Sequence, residues 1–179
     1  MRKFFALVRA IGTEMSFTGY ALPFVELLAE AGQIEQALAS VNETISTAYK
    51  NGELHFEADL HRVKGELLLQ QAAEESDLRT AVSLPDATTA TAQQAAEALF
   101  HQAIEMARRR HATSQELRAK LSLCRLWSQQ GRPEPARALL AEAVSVYTSE
   151  DETPDLLSAR ALLTQLNKGD AAHASSPLD

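Results

Sequence analysis

The stretch from Ser114 to Tyr147, SQELRAKLSLCRLWSQQGRPEPARALLAEAVSVY, leaves this chain little choice of fold. It encodes one helical hairpin. Leu117, Leu121, Cys124 and Trp127 recur at helical spacing, and Ala119, Leu123 and Leu126 form an adjacent stripe, so the first segment is apolar over more than half its circumference. Such a helix needs cover on two sides. Gly131 suits a left-handed cap, and Pro133 follows where the same helix cannot continue. A second helix then starts near Glu134 and turns Ala136, Leu139, Leu140, Ala143 and Val144 back toward the first.

The rest of the chain repeats this unit imperfectly. Gly32-Gln33-Ile34-Glu35-Gln36-Ala37 matches Gly131-Arg132-Pro133-Glu134-Pro135-Ala136, a glycine followed five residues later by an alanine in the second helix. The helix before Gly32 covers about Tyr20 to Ala31, with Pro23 delaying or kinking its start. The helix after it, Ile34 to Tyr49, sets Ile34, Leu38, Val41, Ile45 and Ala48 on one face and ends at Asn51-Gly52. A further helix runs from about Glu53 to Ala73 with Gly65 inside it. A mid-helix glycine costs about 1 kcal/mol against alanine and marks close approach of a neighbour.

From Glu74 to Thr91 the period fades among Ser, Thr, Asp and Pro85, which predicts a mobile insertion. Order returns over Ala92 to Arg110, and Arg108, Arg109 and Arg110 read as a solvated helix end that complements the dipole. Thr153-Pro154 opens the last helix, which runs to about Asn167 and is placed to cap the array. Residues 168–179 are small, polar and aperiodic and are expected to be disordered. The organisation is therefore one helical domain, 1–167, and a tail.

Aromatic residues make up only 6% of the chain, while Ala and Leu dominate the periodic segments, which favours helices over sheets. The net charge of −7 argues against nucleic acid or an anionic membrane as partner, since both call for a positive surface. The N-terminal MRKFFALVRAIG is too short in its apolar run for a signal core, because Arg9 interrupts it. It is expected to be an amphipathic helix with Phe4, Phe5, Val8 and Ile11 inward. The lone cysteine, Cys124, cannot form an internal disulfide and suits a reducing cytoplasm.

Helix pairs with Gly at the joint and Ala–x3–large–x2–Ala in the second helix resemble the tetratricopeptide repeat. The match is carried by Gly65, Leu68, Ala96, Phe100 and Ala103 in the second pair. In the third it is carried by Leu123, Trp127, Gly131, Ala136, Leu140 and Ala143. Spacing departs from the family's ~34 residues, since Ala96 and Ala136 are 40 apart. The runs LLAEAGQIEQALA, ELHFEADLHRVKGELLLQ, AEALFHQAIEMARR and TPDLLSARALLTQL also resemble the C-terminal repeat region of large bacterial signalling ATPases that carry class III adenylate or guanylate cyclase domains.

The resemblance implies an all-α, right-handed stack of about seven helices in antiparallel hairpins, an α-solenoid with a C-terminal capping helix. It also implies a concave groove lined by the first helix of each pair. Carried onto this chain, the groove positions are Asp59, Arg62, Glu66 and Gln70 in the second pair, and Arg118, Arg125 and Gln129 in the third. Arg62, Arg118 and Arg125 would offer forked donors to a carboxylate or peptide backbone. A non-catalytic scaffold for a protein or peptide partner is the first reading, and a regulatory or sensor fragment of a cyclase- or ATPase-linked system is the alternative.

No phosphate-cradling G-x-x-x-x-G-K-[ST] stretch and no H-E-x-x-H occurs. Glu57 and His61, like His101 and Glu105, read as helix-surface pairs rather than metal ligands. Cys124 reads as a buried thiol and not a nucleophile, and the carboxylates scatter over solvent faces. No catalytic residue, metal or cofactor is therefore expected.

Overall fold

The computed structural model describes residues 17–81, 88–148 and 151–174. The expected N-terminal helix bearing Phe4, Phe5, Val8 and Ile11 lies outside them. The described residues form seven α-helices and one short 3-10 turn, with no strand. The helices are α1 (Phe17–Glu30), α2 (Ile34–Asn51), α3 (Glu57–Ala81), α4 (Thr88–Arg109), α5 (Thr113–Gln129), α6 (Pro133–Ser145) and α7 (Pro154–Ala174), and the 3-10 turn is Leu54–Phe56. Among the described residues no helix is long and apolar enough to cross a membrane.

The joints follow from backbone hydrogen bonding. At the end of α1 the Gln33 N–H donates to Leu28 O at 2.9 Å and the Gly32 N–H to Ala29 O at 3.0 Å. At the end of α5 the Arg132 N–H donates to Trp127 O at 2.8 Å and the Gly131 N–H to Ser128 O at 3.2 Å. This paired closure needs a left-handed residue, and Gly32 and Gly131 supply it at φ +71° and +70°. The end of α4 closes the same way, with the Ala112 N–H on Ala107 O and the His111 N–H on Arg108 O, but the left-handed residue there is His111 at φ +55°. A glycine search misses that joint because the position holds a side chain.

Each helix packs on the next in sequence, and the first helices of successive pairs also pack on one another, α1 on α3, α3 on α5 and α5 on α7. That pattern is consistent with a helical-repeat fold. Every residue from Leu117 to Trp127 in α5 is buried except the half-buried Arg118 and the exposed Arg125, as expected of a helix covered on two sides. The apolar residues form two clusters. One gathers Val25, Val41, Leu60, Val63 and Leu67 from α1, α2 and α3; the other gathers Phe100, Leu123, Trp127, Leu140 and Leu156 from α4 to α7. At the close approach of α3 and α4, Gly65 lies against the ring of the fully buried Phe100.

Three boundaries differ from the sequence reading. Residues 74–91 are not one loop: α3 continues to Ala81 and α4 begins at Thr88, with 82–87 outside the described residues. Glu74, Glu75, Asp77 and Leu78 extend α3 as a helix, and Glu75 borders a recess shared with Thr91, Ala92 and Ala95 of α4, so the strong apolar period is lost without loss of helicity. Likewise α7 continues through Lys168 to Ala174, past the buried Leu166. At the other end α1 begins at Phe17, with the exposed Pro23 inside it. The Thr18 N–H is satisfied by Glu53 Oε2 at 3.2 Å.

Candidate partner-binding face

The alternation of helices brings α1, α3, α5 and α7 side by side, and polar side chains from all four meet on that face. On α3 a spacing of three and four residues aligns Asp59, Arg62 and Glu66. The Arg62 guanidinium lies 3.4 Å from Asp59 Oδ1, 2.8 Å from Glu66 Oε2 and 3.3 Å from Glu26 Oε1 of α1. From α5, Arg118 lies 3.4 Å from Asp59 Oδ2 and 3.6 Å from Asp155 Oδ2 of α7, and Ser122 Oγ donates to Glu66 Oε1 at 2.5 Å.

Burial works against the charge on Arg62, but Glu66, Asp59 and Glu26 outweigh it and hold its pKa above the ordinary arginine value. Asp59 is only 1% exposed, and its Oδ2 accepts no hydrogen bond among the described residues. Arg118 balances it by charge at ion-pair distance.

Two of the three arginines expected in the groove are engaged within the chain. Arg62 directs Nε, Nη1 and Nη2 to carboxylates of its own chain, and Arg118 directs Nε and Nη2 to Asp155 and Asp59. Arg125 and Gln129 are exposed on α5 and form no ion pair or hydrogen bond with the described residues. Gln70 is exposed as well and borders a cleft of about 380 Å³ between α1 and α3. Ala29, Val63 and Leu67 line that cleft with apolar surface, and Glu26, Glu30 and Glu66 line it with carboxylates. Glu26, Glu30, Ser122 and Asp155 were not among the expected groove residues. The spacing of four sets Glu26 and Glu30 on one helical face, but Pro23 makes the first pair irregular and obscures its groove positions in the sequence.

The other charged groups also bind elements together. Glu57 is buried, and its carboxylate pairs with Arg110 at 3.0 Å and accepts a hydrogen bond from Tyr49, which pushes the Tyr49 hydroxyl up to about 12. His61 is buried and sits 2.9 Å from the backbone oxygen of Glu57, so the expected surface pair with the Glu57 carboxylate does not form. His101 instead lies with its ring 5.9 Å from that of Trp127.

The arginine run is not simply solvated. Arg108 reaches Glu105, Glu116 and Glu142, and the Glu116 hydrogen bond is the main cause that raises its pKa. Glu116 also meets the buried Lys120. Burial pushes the Glu116 carboxyl up, but Lys120 and Arg108 outweigh it and leave its pKa below the usual value. The pairs of Arg108 with Glu116 and Glu142 were hidden in the sequence because each joins α4 to another helix.

Cys124 is fully buried against α6, 3.3 Å from Ala136 O, and burial pushes its thiol to about 12. At neutral pH it remains protonated and acts in packing. Trp127 Nε1 donates to Glu97 Oε1 at 2.7 Å, and the Arg132 guanidinium lies 5.0 Å from the ring centroid. Among the described residues no group of three His, Cys, Asp or Glu could hold a metal ion. No protein-family model, no curated protein and no solved structure matches the chain.

Proposed function

We propose that this chain is a non-catalytic interaction scaffold of the tetratricopeptide kind, and that a peptide or protein partner lies along the face made by α1, α3, α5 and α7. The observation that carries the reading is the arrangement of that face. Its inner charges, Asp59, Arg62 and Arg118, are paired within the chain, while Arg125 and Gln129 remain exposed on α5 and Gln70 is exposed at the edge of a preformed cleft. A rigid platform with adaptable polar groups loses little freedom on binding an extended or helical peptide.

The test is a selection of random 12-residue displayed peptides on the immobilised full chain, followed by titration of the enriched sequences. Binding should fall about tenfold or more when Gln70, Arg125 and Gln129 are all replaced by Ala, a loss in the range of interface truncations. It should persist in Glu43→Ala and Gln94→Ala, which change exposed positions of α2 and α4. Failure to enrich any peptide, or equal binding by the triple variant, would refute the reading.

A further inference from the structure

The cleft between α1 and α3 has a chemistry that narrows the partner further, on the assumption that the first-helix face is where it binds. Its floor of Ala29, Val63 and Leu67 is apolar, and its edge carries three carboxylates. Glu26 and Glu66 share a single cation, Arg62, which is also held by Asp59. Glu30 makes no ion pair or hydrogen bond with the described residues. The edge therefore retains uncompensated negative charge around a recess with greasy walls. A lysine or arginine side chain complements both parts, since its aliphatic stem covers apolar surface while its head remains near carboxylates. We propose that the cleft receives a basic side chain from a peptide partner, next to an aliphatic residue of that peptide. A carboxylate of the peptide, one of the two groups that the groove arginines suggested from sequence, meets like charge here.

The test uses the peptides enriched from the random 12-residue library and reads binding by fluorescence anisotropy. The enriched set should share a lysine or arginine beside an aliphatic residue. Replacing that cation by norleucine should weaken binding about tenfold or more, and added salt should weaken the parent peptide more than the norleucine peptide. Glu30→Lys should cause a loss of similar size. It sits at the C-terminal turn of α1, where a cation suits the dipole, so the variant should keep its fold. Glu26→Gln serves as a second variant, and Glu43→Lys, outside the cleft, should bind as the parent chain does. Enrichment of neutral or acidic peptides, or indifference to Glu30→Lys, would overturn the cation cleft while leaving the scaffold reading standing. A library that enriches nothing would remove both.

Discussion

Substituting Gly65 by alanine sets two opposed effects against each other, and the structure decides between them. In an exposed helix interior, Gly→Ala gains about 1 kcal/mol from backbone entropy and helix propensity. Here the new methyl carbon would lie 2.7 Å from Phe100 Cε1, 3.1 Å from Cδ1 and 3.2 Å from Cζ. The ring is fully buried in the larger core cluster and has no open side to turn into. Overpacking costs roughly 1–3 kcal/mol, and so short a contact with a confined ring belongs at the upper end. The net expectation is a loss of about 1–2 kcal/mol. Urea unfolding followed by far-ultraviolet circular dichroism, at constant m value, measures it. In a Phe100→Leu background, which removes the opposing ring atoms, the same substitution should be neutral or stabilising, a coupling of about 1 kcal/mol or more. A stability gain from Gly65→Ala in the parent chain would refute the close approach of α3 and α4.

Further outcomes follow from single residues. His111→Gly should stabilise by about 0.5–1 kcal/mol, because the left-handed joint between α4 and α5 presently carries a side chain; a loss of stability would show that the His111 ring makes a contact worth more than the strain. Trp127→Ala should cost about 3–5 kcal/mol for a core indole, and a loss under ~1 kcal/mol would place the ring at the surface. Cys124 should resist an aromatic disulfide reagent at pH 8 in the native chain and react at once in denaturant, whereas rapid native labelling would contradict its burial. Tyr49, raised from 10 to about 12 by Glu57, contributes stability that is fully present below pH 10 and lost as pH rises through 12. Absorbance titration at 295 nm should therefore show a late ionisation step that disappears in Tyr49→Phe.

Residues that act within their own hairpin were legible. The caps at Gly32 and Gly131, the two-sided burial of α5 and the narrow contact at Gly65 all depend on local turn chemistry or on helical periodicity, both written along a single segment. Cys124 could be placed for the same reason. The ends of α3 past Ala73 and of α7 past Asn167 were not legible, because the apolar stripe that announces a helix stops there in the sequence.

The burial of Glu57, Asp59 and Lys120 was hidden for a different reason. Each charge has a partner that arrives from another helix, Arg110 from the end of α4, Arg118 from α5 and Glu142 from α6, at separations in sequence that no short motif spans. The candidate face shows both cases. Its α3 and α5 residues follow helical spacing, but the pairing of Arg62 with Glu26 and of Arg118 with Asp59 and Asp155, and the α1 carboxylates that shape the cleft, depend on how separate helices meet.

The account rests most heavily on the first helices standing side by side as one surface. A carbon-edited nuclear Overhauser experiment on the full chain tests this directly, through the β-protons of Ser122 on α5 and the γ-protons of Glu66 on α3. With Ser122 Oγ 2.5 Å from Glu66 Oε1, a cross-peak between the two is expected. If assigned spectra lack that peak and instead connect the Glu66 γ-protons to α4, the first helices do not adjoin and the proposed face does not exist.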